Sequence, residues 1–174
     1  IVVRHGETDM NKEDRLQGSR EAGLSLNETG KKEIVALRDA LLTHPDVIYA
    51  STLTRTEETA HIINERFHVP VIFSDKLIER DFGTLSGKKR SEIDPQIVRD
   101  DLEGTYDYHP YGGESVGDVT KRIKEFIATL DTQKELFVMI ITHRGIIRIL
   151  YDLYPNNGSG ESITPGSKHI FDLP

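Results

Sequence analysis

The amino-acid sequence predicts an α/β domain built on a mostly parallel sheet. Three observations carry that prediction. Apolar runs of strand length alternate with segments of helical period. The run from Leu136 to Thr142 is continuous, as a central strand buried on both faces requires. The 174 residues match one domain, and a chain of that size buries roughly 70% of its unfolded surface without staples. Residues 1–174 therefore read as a single domain, with no internal repeat, low-complexity segment or interdomain linker.

Residues 1–4 form the first strand. Asn27-Glu28 opens a helix whose apolar positions, Ile34, Leu37 and Leu41 with Val35 and Leu42, keep helical spacing. His44-Pro45 ends it, because a residue before proline is pushed out of the helical region. Residues 47–51 are a second strand and 55–67 a second helix, with Ala60, Ile62, Ile63 and Phe67 as its apolar positions. Val69 to Phe73 is a third strand, placed at an edge because Pro70 cannot donate to a ladder. A short helix near 91–103 precedes an irregular loop carrying Tyr106, Tyr108, His109 and Tyr111. Ser115 to Leu130 shows one apolar stripe, Val116, Val119, Ile123, Phe126, Ile127 and Leu130. After the central strand come a helix at 145–154, a turn at Gly158-Ser159-Gly160 and a last short strand from Lys168 to Asp172.

The bulk properties exclude several classes. There is no cysteine, which rules out disulfides and thiolate metal sites and fits a reducing, cytoplasmic setting. A net charge of −7 argues against a nucleic-acid footprint, though a local arginine cluster can still attract an anionic small molecule. No apolar run reaches the ~18 residues of a membrane span. The chain opens at Ile1 without methionine, so the first strand is expected to be clipped.

Chemistry-bearing residues gather at strand ends. Arg4-His5 ends the first strand, Ser51 to Arg55 follows the second, Leu77 to Arg80 lies past the third, and Thr142-His143-Arg144-Gly145 ends the central strand. In a parallel sheet these ends share one edge, where ligands bind. An imidazole can be a nucleophile and a guanidinium matches phosphoryl oxygens, so His5 beside Arg4 points to phosphoryl transfer through a phosphohistidine. Taken singly, Arg55 reads equally as a solvated charge, His143 as a satisfied core histidine, and Glu79 as an ion-pair partner of Arg80. No His and carboxylate set has metal-ligand spacing.

The motifs Arg4-His5-Gly6-Glu7-Thr8 with Asn11, Gln17-Gly18, Leu26 and Gly30, then Ser51-x-Leu53-x-Arg55-x-x-x-Thr59-Ala60, occur in order. They continue with Leu77-x-Glu79-x-x-x-Gly83-x-x-x-Gly87, Gly112-Gly113-Glu114-Ser115 and Thr142-His143-x-Gly145. This series resembles the histidine phosphatase superfamily, in its phosphoglycerate-mutase-like branch, over most of residues 1–150. The resemblance implies a three-layer α/β/α sandwich with a mostly parallel central sheet. It implies that His5 is the phosphorylated nucleophile and Glu79 the proton donor. Arg4, Arg55 and a protonated His143 would bind phosphoryl oxygens, with Asn11 and Gln17 lining the pocket. Metal and cofactor are not expected. The expected partner is a small phosphorylated substrate, with no nucleic acid and no membrane, and the chain is expected to be a monomer or homodimer.

Three departures refine the expectation. The segment from Gln17 to Leu26 lacks the aspartate common there, with Glu21 nearby. Arg144 stands where the branch usually has glycine, adding a cation at the rim that either favours a multiply charged substrate or points outward. Only some thirty residues separate Glu79 from Gly112, and they carry Asp94, Asp100, Asp101, Glu103 and Asp107 against Lys88, Lys89, Arg90 and Arg99. A short acidic lid is expected to hold a second phosphate poorly and to admit water. The favoured reading is a phosphomonoesterase acting on a small metabolite. The alternatives are a cofactor-dependent phosphoglycerate mutase, a protein phosphohistidine phosphatase, whose small members lack an acid equivalent to Glu79, and a catalytically weak phospho-ligand binding module. His109, in the loop over the site, is a candidate substrate contact.

Overall fold

Adjacent residues of a strand face opposite sides of a sheet, and here that alternation separates two cores. Val2 and Ile140 pack on one face with Val119, Ile123, Phe126, Ile146 and Leu150. Val3, Ile48, Ala50, Met139 and Ile141 pack on the other with Ile34, Leu41, Ala60, Ile63 and Phe67. The computed structural model describes residues 1–130, 137–157 and 162–173. The turn expected at 158–160 and the start of the expected run at Leu136 lie outside them.

The sheet has five strands: β1 (Val2–Arg4), β2 (Val47–Ala50), β3 (Val71–Phe73), β4 (Val138–Thr142) and β5 (Lys168–His169), in the order β3-β2-β4-β1-β5. All pairings are parallel except β1 with β5. β3 is an edge strand, as Pro70 predicts. Helices α2 (Glu28–Ala40) and α3 (Thr54–Phe67) cover one face, and α5 (Val116–Ile127) and α6 (Arg144–Leu153) the other. The mixed, mostly parallel sheet between two helical layers is the three-layer α/β/α fold expected.

Two further helices stand apart from those layers: α1 (Asp9–Lys12), just after β1, and α4 (Pro95–Glu103). Thr8 and Asn11 close a capping box around α1, an element absent from the sequence reading because it is one turn long and carries no apolar stripe. α2 stops at Ala40, short of His44-Pro45. Leu41 leaves the helix in an extended conformation and buries its side chain to 1% exposure, so packing rather than proline ends the element. The second apolar row expected on α2 faces outward, with Val35 37% and Leu42 97% exposed.

A third core lies under the lid, where Leu16, Phe82, Leu85, Ile93, Tyr106 and Tyr108 are buried together. The tyrosine-rich stretch is therefore only partly a loop over a site. Tyr106 and Tyr108 stack on each other and hold α4 against the rest of the molecule.

Candidate active site

The site follows from strand register. β1 and β4 are parallel neighbours with Arg4 opposite Thr142, so the next residues, His5 and His143, emerge side by side. The His5 N–H donates to the Thr142 carbonyl at 3.1 Å, and the two imidazole rings lie 5.2 Å apart. The chain leaves β1 toward α2 on one face and β4 toward α6 on the other. That divergence opens a crevice at the carboxyl ends of the strands. The crevice is a cleft of about 240 Å³ lined by Arg4, His5, Asn11, Gln17 and Glu79 among others.

His5 is 3% exposed. Its Nδ1 lies 2.8 Å from the Gly6 carbonyl. A carbonyl only accepts, so Nδ1 carries the hydrogen and Nε2 keeps its lone pair. Burial first, then the charges of Arg55 and Arg4, push the His5 pKa well below 6.5. The ring is neutral at neutral pH. Arg4 donates through Nη1 to the Ile163 carbonyl at 2.8 Å, while its Nε is buried without a partner. Burial lowers the Arg4 pKa to about 10, which leaves it charged.

Asn11 and Gln17 are held by Thr8. The Thr8 hydroxyl lies 3.0 Å from both Asn11 Oδ1 and Gln17 Oε1, and Asn11 Nδ2 donates to Gln17 Oε1 at 3.2 Å. The Gln17 Nε2 amide has no partner although buried. It is a donor without an acceptor at the cleft wall, as is Arg4 Nε.

Glu79 is 6% exposed. Its Oε1 accepts from the Arg80 N–H at 2.9 Å and its Oε2 from the Gly145 N–H at 3.0 Å. The Gly145 bond places the carboxyl at the first turn of α6. A Cβ at Gly145 would lie 2.3 Å from Glu79 Oε1 and 2.7 Å from Arg80 Nη1, so any larger residue would displace those two side-chain ends. The expected alternative, an ion pair between Glu79 and Arg80, does not form. The Arg80 guanidinium pairs with buried Asp101 and sits between the rings of Phe82 and Tyr106, 4.9 and 4.6 Å from their centroids.

Arg55 and His143 lie behind the cleft wall rather than on it. Both are fully buried. Arg55 donates to the Gly18 and Glu21 carbonyls at 3.0 Å, pairs with no carboxylate among the described residues, and keeps a buried Nε without a partner. Burial lowers its pKa to about 10. His143 Nε2 lies 2.9 Å from the Ser51 hydroxyl, and its Nδ1 has no partner. Burial and Arg55 push the His143 pKa well below 6.5. Burial and Arg55 thus oppose the protonated His143 expected from sequence, since a second cation beside Arg55 is costly where no carboxylate among the described residues pairs with it.

Two further expectations change. His109 does not line the cleft. It is exposed, its ring nitrogens 2.9 Å from Asp107 and Asp118, and it pins a loop to the start of α5. None of the lid acids Asp94, Asp100, Asp101, Glu103 and Asp107 lines the cleft either. Asp94 caps α4, Asp100 accepts from Gln96, Asp101 pairs with Arg80 and Asp107 with His109. From the lid, Arg80, Phe82 and Arg90 line the cleft, and Arg144 lines it too, alongside Glu7, Asp14 and Arg15. Ser51 and Thr59, whose hydroxyl accepts from the Gly6 N–H at 3.4 Å, support the two histidines. Both stand in the sequence motifs, but their partners come from register and are not legible from spacing.

Among the described residues no group of three His, Cys, Asp or Glu could hold a metal ion, and no helix is long and apolar enough to cross a membrane.

Comparison with known proteins agrees with this geometry. The chain is 35% identical over 156 residues to phosphoserine phosphatase 1 of Hydrogenobacter thermophilus, covering 87% of this chain and 73% of that one. It is 33% identical over 181 residues to a metal-independent phosphoserine phosphatase of Arabidopsis thaliana, covering 99% and 75%. Its fold superposes on a phosphoglycerate mutase from Thermus thermophilus with a TM-score of 0.76 and 29% identity, over 95% of this chain and 87% of that one. The family model of the histidine phosphatase superfamily (branch 1) matches residues 1–161, and the chain belongs to that family.

Proposed function

We propose that the protein is a phosphomonoesterase that hydrolyses a small phosphorylated metabolite through a phosphohistidine on His5. The observation that carries this reading is the state of His5. It is a neutral imidazole at the cleft wall, with Nδ1 committed to Gly6 and Nε2 free to attack, beside guanidiniums that have no carboxylate partner. Relatives named as phosphoserine phosphatases support the hydrolytic outcome.

In the first step His5 Nε2 attacks phosphorus and the ester P–O bond breaks. The leaving alkoxide takes its proton from the Glu79 carboxyl. In the second, the Glu79 carboxylate takes a proton from water, the water oxygen attacks phosphorus, and the P–N bond breaks. Inorganic phosphate leaves and both groups return to their starting states. Phosphoryl transfer asks the protein mainly for positioning and positive charge. Arg4 and Arg55 supply that charge through their unpartnered Nε–H groups, with Gln17 Nε2 as a neutral donor. A bound phosphoryl dianion opposes the burial and the Arg55 charge that keep His143 neutral, so the charge on His143 arrives with the substrate. Positive charge comes from side chains, and activity is expected to survive excess chelator. Loss of activity on chelation, restored by a divalent ion, would overturn that part.

A mutase reading retains two supporting observations, the arginines Arg90 and Arg144 in the cleft and the fold match to a phosphoglycerate mutase. The two readings separate in one tube, where phosphate release and interconversion of 2- and 3-phosphoglycerate are followed together. We expect phosphate release from at least one small monoester and little interconversion even with bisphosphoglycerate present. Efficient interconversion with negligible release would replace the phosphatase reading.

A further inference from the structure

Five arginines line the cleft, and four are accounted for. Arg4 belongs to the proposed phosphoryl pocket. Arg80 is paired with Asp101. Arg90 reaches Asp14 at 3.2 Å and Asp101 at 3.5 Å. Arg15 donates to Glu13 at 2.6 Å and to the Gly87 carbonyl at 2.8 Å. Arg144 is different. It is half-buried, opens α6 directly after His143, and has no hydrogen bond or ion pair among the described residues.

Its surroundings make that costly. The charges acting on it include Arg148, Arg90 and Arg80, and its pKa is lowered by burial first and then by the like charges. The positive end of a helix adds to the repulsion. Asp101, the carboxylate acting on it, already serves Arg80. The other acids at the cleft wall are engaged too: Asp14 with Arg90, and Glu7 with the Asn27 amide at 2.9 Å. A half-desolvated cation left without a counter-charge is unfavourable for folding alone, and its place on the cleft wall puts the missing anion on a ligand.

We propose that Arg144 forms an outer anion subsite that takes a second anionic group of the substrate, a carboxylate or a phosphate, while the ester phosphoryl group sits at His5. The inference deepens the phosphomonoesterase reading and rests on it for which end of the ligand lies at His5.

Three phosphonates with matched two-carbon chains test the subsite without turnover: ethylphosphonate, 3-phosphonopropionate and ethane-1,2-diphosphonate. Titration calorimetry is run on the parent, Arg144→Gln and Arg144→Lys. A charge-assisted contact corresponds to at least about a tenfold preference. The parent should show it for the carboxylate probe, the diphosphonate or both over ethylphosphonate. The preference should collapse in Arg144→Gln and return in part in Arg144→Lys, and the arm with the larger preference identifies the second group. Equal affinities in the parent, no measurable binding, or a preference that survives Arg144→Gln would overturn the subsite. Phosphate release by the parent from a panel of small phosphomonoesters, p-nitrophenyl phosphate among them, is assayed alongside. Its absence would remove the phosphomonoesterase reading, and the binding ratios would still decide the subsite.

Discussion

The inner site and the lid above it both bury arginine, and they do so in opposite ways. At the strand ends, Arg55 and Arg4 are buried with backbone carbonyls as partners, no carboxylate within ion-pair distance among the described residues, and an Nε left over. In the lid, Arg80 is buried as completely, but against Asp101 and between two aromatic rings. Burial opposes the charge on Arg80, and Asp101 and Glu79 more than offset it, so its pKa is raised where those of Arg4 and Arg55 are lowered. A paired buried cation is structural. A buried cation without a carboxylate partner keeps its desolvation cost, and under the proposed function a phosphoryl group would offset it. The difference teaches which arginines to assign to chemistry and which to the scaffold.

The largest effect is expected at His5, the proposed nucleophile. His5→Ala should lower turnover by at least about 10⁴-fold while the far-ultraviolet spectrum stays that of the parent. Rapid quench with labelled substrate should trap an acid-labile, base-stable adduct in the parent only. A variant that kept more than roughly a hundredth of the rate would remove covalent catalysis from the account, and an adduct absent from an active parent would do the same. Trapping also decides against a pure binding module, which needs no nucleophile.

Next in size is the acid. Gly145→Ala should cost about 10²–10⁴-fold, because the new Cβ occupies the space of Glu79 Oε1. Glu79→Gln tests the same group without crowding α6. Its loss should be large for alkyl phosphates and small for p-nitrophenyl phosphate, whose leaving group needs little protonation. Equal losses on both esters would show that Glu79 does not donate the proton.

The lid predicts a stability effect. Asp101→Asn leaves the Arg80 guanidinium buried beside a neutral amide, and breaking such a pair costs about 3–5 kcal/mol. Chemical denaturation should register that loss. A midpoint within error of the parent would mean that Arg80, like Arg55, needs no carboxylate, and the contrast between the two regions would fail.

The pH dependence is smaller and comes from the inner site. His5 and His143 both stand well below 6.5, chiefly through burial and Arg55. The unfolded chain therefore takes up protons below pH 6.5 that the folded chain refuses. Stability is fully present above that pH and falls as the solution is acidified, by at most about 1.4 kcal/mol per pH unit for each histidine. Denaturation midpoints at pH 7.5 and 5.5 should differ less in His143→Asn than in the parent. Identical differences would mean that His143 is not held neutral.

The smallest effect is expected at His109. It is exposed and bonded to Asp107 and Asp118, so His109→Ala should change stability by no more than about 1 kcal/mol and leave KM alone. A raised KM would restore it as a substrate contact.

The sequence by itself determined the order of the five strands and of every helix but the one-turn α1, the edge position of β3 and the placing of His5, Arg55, Glu79 and His143 just past strand ends. The reason is local: strand and helix periods are written in nearest neighbours, and a parallel sheet brings all the carboxyl ends of its strands to one side. Tertiary structure decided the rest. Leu41 ended α2 by burying itself, and Val35 and Leu42 turned outward, because which apolar row meets the sheet depends on the neighbouring helix. Asp101 found Arg80 across twenty-one positions of chain, which turned an apparently acidic lid into one that offers Arg90 to the cleft. His143 was made neutral, and Arg144 left unpaired, by groups far from them in sequence. Charge is counted along a chain but felt through space, so its sign at the site was settled only when the fold chose which carboxylates were already taken.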